Sequence, residues 1–176
     1  MIFGGWVTET DFTTVVSQPW TVQLNDVGVA GTSYSHRLGT LNELLGEFAV
    51  GSFGNYFAIE AEGGIAGRFG DESLGEGWVG LYLRYDGLPW NDIVYTTFAS
   101  NIGLSILTEV SEFELSREGK ATELLHYFSP ELTFADPENK NLELVLRVHH
   151  RSGIFGVFDG ISTGSTFIST GIRMRY

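Results

Sequence analysis

The feature that most constrains this chain is a hydrophobic period of two residues. From Leu142 to Ser152 the even positions read Leu142, Leu144, Leu146 and Val148 before His150 and Ser152. The odd positions read Glu143, Val145, Arg147, His149 and Arg151. Successive side chains of a strand leave opposite faces, so this segment carries one apolar face and one charged face. A helix would scatter both sets around its circumference. The last residues repeat the pattern, with Ile168, Thr170, Ile172, Met174 and Tyr176 against Ser169, Gly171, Arg173 and Arg175. It recurs through Phe57, Ile59, Ala61, Ile65 and Phe69, through Val79, Leu81, Leu83 and Tyr85, and through Phe98, Ile102, Leu104 and Ile106.

The pattern predicts strands at 26–38, 55–69, 76–87, 92–107, 122–135, 141–152 and 163–176. An eighth is expected either at 43–53 or within 3–16, and Leu41 to Phe48 also fits a short helix. Leu88-Pro89-Trp90-Asn91 and Asp136-Pro137-Glu138-Asn139 carry the chemistry of tight turns. Gly70 to Ser73, Glu112 to Ala121 and Gly153 to Ser162 read as longer polar loops. No composition shift marks a boundary, so residues 1–176 form one domain, with 1–24 a candidate N-terminal periplasmic or plug segment.

Charge and composition narrow the function classes. The 22 acidic residues outnumber the 10 basic ones, and a net charge of −12 would repel a phosphate backbone, which argues against nucleic-acid partners. Cysteine is absent, so no disulfide or thiolate chemistry is available. No run of about 20 apolar residues offers a spanning helix, and no basic region followed by an apolar core reads as a signal peptide. The 23 glycines and the abundant Phe, Tyr and Trp suit bent strands and membrane interfaces, with Trp6, Trp20, Trp78 and Trp90 as interface anchors.

Alternation by itself is compatible with a soluble eight-stranded barrel of lipocalin type, for which Gly4-Gly5-Trp6 is a weak echo. The ending on Tyr176, with alternate apolar residues behind it, resembles the C-terminal signal of bacterial outer-membrane proteins. The expected fold is therefore all-β: an eight-stranded antiparallel transmembrane β-barrel of the bacterial outer-membrane type, with its apolar face turned to lipid. Glu60 and Glu62 then belong to a hydrated lumen with arginine partners.

The sharpest chemical constellation is His149-His150-Arg151-Ser152. His150 and Ser152 share a face about 6.6–7 Å apart along the strand, where an imidazole could serve a serine nucleophile as general base. A simple hairpin at 136–141 would place His126 opposite His150 or Ser152. His36, His126, His149 and His150 lack zinc-ligand spacing, and Gly63-Gly64 lacks the context of a phosphate loop, so no metal or cofactor is expected.

Arg147 to Ser152, followed by a short loop and a last strand ending Gly171-Ile172-Arg173-Met174-Arg175-Tyr176, resembles the outer-membrane lipid A deacylases, the PagL-like acyloxyacyl hydrolases. The resemblance covers the last 30–35 residues or so and departs from the family at Gly153, where an Asn is usual, and at Gly164-Ser165-Thr166, where an acid is usual. It implies an outer-membrane esterase that removes an ester-linked acyl chain from lipid A, with lipopolysaccharide and outer-membrane lipids as partners. Ser152 would be the nucleophile, His150 the base and Asp159 the orienting acid, while His126, Arg151 and Gly153 would contact substrate. The alternative is a non-catalytic outer-membrane barrel acting as a structural, adhesive or lipid-binding scaffold.

Overall fold

Nine strands are joined into one antiparallel sheet in a computed structural model that describes residues 1–162 and 164–176. They are β1 (Ile2–Thr8), β2 (Leu24–Thr40), β3 (Phe57–Gly70), β4 (Leu74–Tyr85), β5 (Tyr95–Leu107), β6 (Leu124–Phe128), β7 (Glu131–Ala135), β8 (Leu142–Ser152) and β9 (Thr166–Met174). Helices α1 (Phe12–Ser17), α2 (Leu41–Leu45), α3 (Glu47–Val50) and α4 (Glu112–Glu118) lie in the connections. Neighbours in sequence pair in turn from β1 to β5, β8 pairs with β9, and β9 returns to β1. Both β6 and β7 pair with β5 on one side and β8 on the other. The ten-residue ladder from Glu76↔Leu107 to Tyr85↔Phe98 joins β4 to β5. The sheet is thereby closed, with no strand left as an unpaired edge among the described residues.

Closure gives the alternation a direction. Along β8, Glu143, Val145, Arg147, His149 and Arg151 are buried, while Leu142, Leu144 and Leu146 are 56%, 50% and 46% exposed. The interior is thus the charged face and the outside is the apolar one. A guanidinium or carboxylate shut away from water must be paired and hydrogen-bonded, or its desolvation cost stands uncompensated. Arg147 meets both oxygens of Glu62 at 2.9 and 2.8 Å, and Arg173 meets both oxygens of Glu131 at 2.7 Å. Arg84 is bidentate on Glu60 at 3.0 Å, and Arg68 holds Glu76 at 2.7 and 2.9 Å. Such forked pairs are the geometry that best offsets desolvation.

Between these pairs sits an interior aromatic layer of Phe3, Trp78, Tyr127 and Phe167 with Val7, Val27 and Val29. Trp78 occupies the space over Gly64, where a Cβ would run into its indole ring. It donates from Nε1 to Glu62 at 3.2 Å. It is 3% exposed, so it is a core residue and not the interface anchor expected.

Several other expectations are corrected. Within the segment 1–24, Ile2–Thr8 is paired on both sides within the sheet. The span 43–53 is not a strand: Thr40 caps α2 through its hydroxyl and Glu43 returns the bond to the Thr40 N–H, a capping box that commits the chain to a helix. The single strand expected at 122–135 is two, interrupted at Ser129-Pro130, where proline has no N–H to give and the Ser129 N–H turns to Asn101 Oδ1. Gly70 to Ser73 is a tight turn, and Glu112 to Glu118 within an expected loop is helical. The expected eight-stranded transmembrane barrel of outer-membrane type is therefore replaced by a closed nine-stranded sheet carrying four short helices. Thr163, the first residue of the last expected strand, lies outside the described residues. Among the described residues no helix is long and apolar enough to cross a membrane, which bears on helices alone.

The antiparallel order places the connections 41–56, 86–94 and 136–141 at one end, here termed the mouth. The connections that hold α1 and α4 lie at the other, the helix end. Ser111 caps α4, and Gly119 ends it in a left-handed conformation.

Candidate functional site

The residues expected to carry chemistry lie at the helix end, on two different faces of β8. His126 pairs in register with Ser152, and Phe128 with His150, so His126, His150 and Ser152 share the outward face. Arg151 points the other way. Its guanidinium is buried in the interior, where Nη1 donates to Glu114 at 2.9 Å and Nη2 to the Glu123 carbonyl at 2.6 Å.

His150 is not bonded to Ser152. Its Nδ1 lies 2.8 Å from Thr166 Oγ1, and its ring is stacked on Phe12 of α1 with centroids 4.6 Å apart. Phe12 also meets Phe128 edge-on at 5.4 Å, so α1 closes over the imidazole from outside. That burial lowers the His150 pKa to about 4, and burial lowers that of His126 as well. Ser152 Oγ accepts from the Ile154 N–H at 3.1 Å, which holds it in the turn that follows the strand. Gly153 is buried against the Ile161 carbonyl, so it contributes close backbone packing. Asp159 stands exposed in a left-handed turn and makes no hydrogen bond to His150 among the described residues. The nucleophile, base and orienting acid expected from sequence are not joined into a relay.

The outward face of the sheet is the larger feature. On β3 it presents Ile65 and Phe69, on β4 Val79 and Leu81, on β5 Ile102 and Ile106, and on β9 Ile172 and Met174, each 48–73% exposed. Outward positions of Ile59–Phe69, Val79–Tyr85, Phe98–Ile106, Leu142–Val148 and Ile168–Met174 hold no Asp, Glu, Lys or Arg. The charges of these strands are all on the interior side. Alternation along single strands foretold the grouping, whereas the role of Phe12 as a cover had no sequence signal.

No family model matches the chain, and no curated protein or solved structure matches it either. The resemblance to the lipid A deacylases is corrected, since the expected eight-stranded transmembrane barrel is replaced by a nine-stranded sheet. With it go the ester hydrolase assignment, the alternative outer-membrane scaffold, lipopolysaccharide and outer-membrane lipids as partners, and the outer-membrane location. None of these is retained.

Proposed function

We propose that this chain is a non-hydrolytic binding body whose working surface is the outward wall of the closed sheet, covered in use by an apolar partner. One observation carries the reading: five strand segments present outward faces without a single Asp, Glu, Lys or Arg. Scattered surface leucines are ordinary, but a contiguous apolar surface marks an interaction site. The interior agrees with this reading, because its charged groups are paired with one another while Leu142, Leu144 and Leu146 are left on the outside. Here the polar groups are spent on one another.

The test is purification of the folded chain in a mild non-ionic detergent, followed by exchange into plain buffer. Size-exclusion chromatography and circular dichroism would follow its state. The expected result is a folded, monodisperse species with detergent and association without it. A monodisperse folded chain in plain buffer that binds no apolar dye would overturn the proposal.

A further inference from the structure

The inner wall of the sheet near the mouth carries one arginine more than its ion pairs use, although the connections at that end are themselves acidic, with Glu43, Glu47, Asp86, Asp92, Asp136 and Glu138 against Lys140. The interior ion pairs are matched: the guanidiniums of Arg84, Arg147, Arg173 and Arg175 face the carboxylates of Glu60, Glu62, Glu131 and Glu143, four against four. Arg37 on β2 is a fifth cation beside them. It stands opposite Glu60 in register, yet both Glu60 oxygens are taken by Arg84 at 3.0 Å. Arg37 makes no ion pair or side-chain hydrogen bond among the described residues. Glu43 feels its charge but is engaged by the Thr40 N–H at 2.6 Å.

Arg175 adds a second opening. Its Nε donates to Glu143 at 2.8 Å and its Nη1 lies 3.8 Å from Glu60, while its Nη2 has no hydrogen-bond partner among the described residues. Arg37 and Arg175 line one cavity of about 340 Å³ together with Tyr34, Arg173, Tyr176 and Glu60, whose carboxylate is engaged by Arg84. The two tyrosine rings lie 6.3 Å apart and inclined by 30°. A guanidinium presents donors in a plane that matches the two oxygens of a carboxylate or phosphate. Cavities of roughly 300 Å³ and more are of a size to take small molecules.

We propose that the mouth cavity binds a small oxyanion, carboxylate or phosphate, held between Arg37 and Arg175 and flanked by Tyr34 and Tyr176. The site concerns a different part of the molecule from the outward wall and stands or falls separately. It is tested by titrating the whole folded protein with benzoate and with inorganic phosphate, read by calorimetry. Saturable one-to-one binding is expected, at least tenfold weaker in Arg37→Gln, whose parent side chain is exposed and makes no hydrogen bond among the described residues. Arg175→Gln should weaken it further. Preference for benzoate would identify a carboxylate whose flat body lies beside the tyrosines, and preference for phosphate would identify a phosphate ligand. Failure of both ions to bind, or unchanged affinity in Arg37→Gln, would overturn the proposal.

Discussion

His150 shows how one residue's surroundings set its chemistry. Covered by Phe12 and bonded to Thr166, it is held neutral, with its pKa lowered to about 4 by burial. The unfolded chain takes up this proton near the ordinary histidine value of about 6.5. Between those values the unfolded state binds more protons, so stability falls as pH drops from about 6.5 towards 4. The shift corresponds to roughly 3 kcal/mol at full development. Chemical unfolding of the parent and of His150→Phe at a series of pH values should show this slope in the parent and a flatter one in the variant above pH 5. Parallel curves would mean that His150 is not the group responsible. Glu131 illustrates the opposite case: burial works to raise its pKa, but Arg147, Arg173 and Arg84 outweigh that and hold it well below the usual carboxylate range.

Among the elements, α4 is held to the sheet through the side chains of Glu114 and Arg117. It has only the residues Glu112–Glu118, too few to be stable alone, and it is fixed by Glu114 reaching into the helix end of the interior. Glu114 Oε1 accepts from Arg151 Nη1 at 2.9 Å and from Ser165 Oγ at 2.7 Å, and lies 3.7 Å from Arg68 Nη1. Arg117 ties the same helix to the carbonyls of Thr8 and Glu9. Glu114→Ala would leave Arg151 buried without its carboxylate, a change that costs about 3 kcal/mol or more. Amide exchange across 111–119 is expected to accelerate strongly, while the β3–β4 ladder keeps its protection. Unchanged exchange in α4 would show that its contacts elsewhere suffice.

At the scale of the whole molecule, the ring is polar within and apolar without. Ile102 is 68% exposed at an outward position of β5, far from the interior pairs. In an ordinary water-facing sheet, Ile102→Lys would be neutral or helpful to solubility. Against an apolar partner the same ammonium must be stripped of water, which carries a substantial penalty. The variant is therefore expected to lower thermal stability in detergent relative to the parent and to associate less in plain buffer. Equal melting temperatures in detergent would argue that nothing apolar is packed against this part of the wall.

Much of this arrangement was legible along the chain and much was not, for a definite reason. A period of two residues determines which side chains share a face, so the separation of Leu142, Leu144 and Leu146 from Glu143, Arg147 and Arg151 needed no structure. It also located most strands to within a few residues, because turn chemistry at Pro89 and Pro137 bounds them. The period is silent on which face lies inside, since either sign satisfies it; closure of β4 on β5 decided that. It is equally silent on partners across the ring. Arg147 and Glu62 are 85 residues apart, and only the registers of the intervening strands bring them within 2.9 Å. The same holds for the mouth cavity, where Arg37 and Arg175 come from β2 and from just beyond β9. It holds too for His150, whose sequence neighbour Ser152 is not its partner while Thr166 and Phe12 are. Local alternation is a property of neighbouring residues, whereas charge pairing, burial and cavities are properties of residues that only the folded ring makes neighbours.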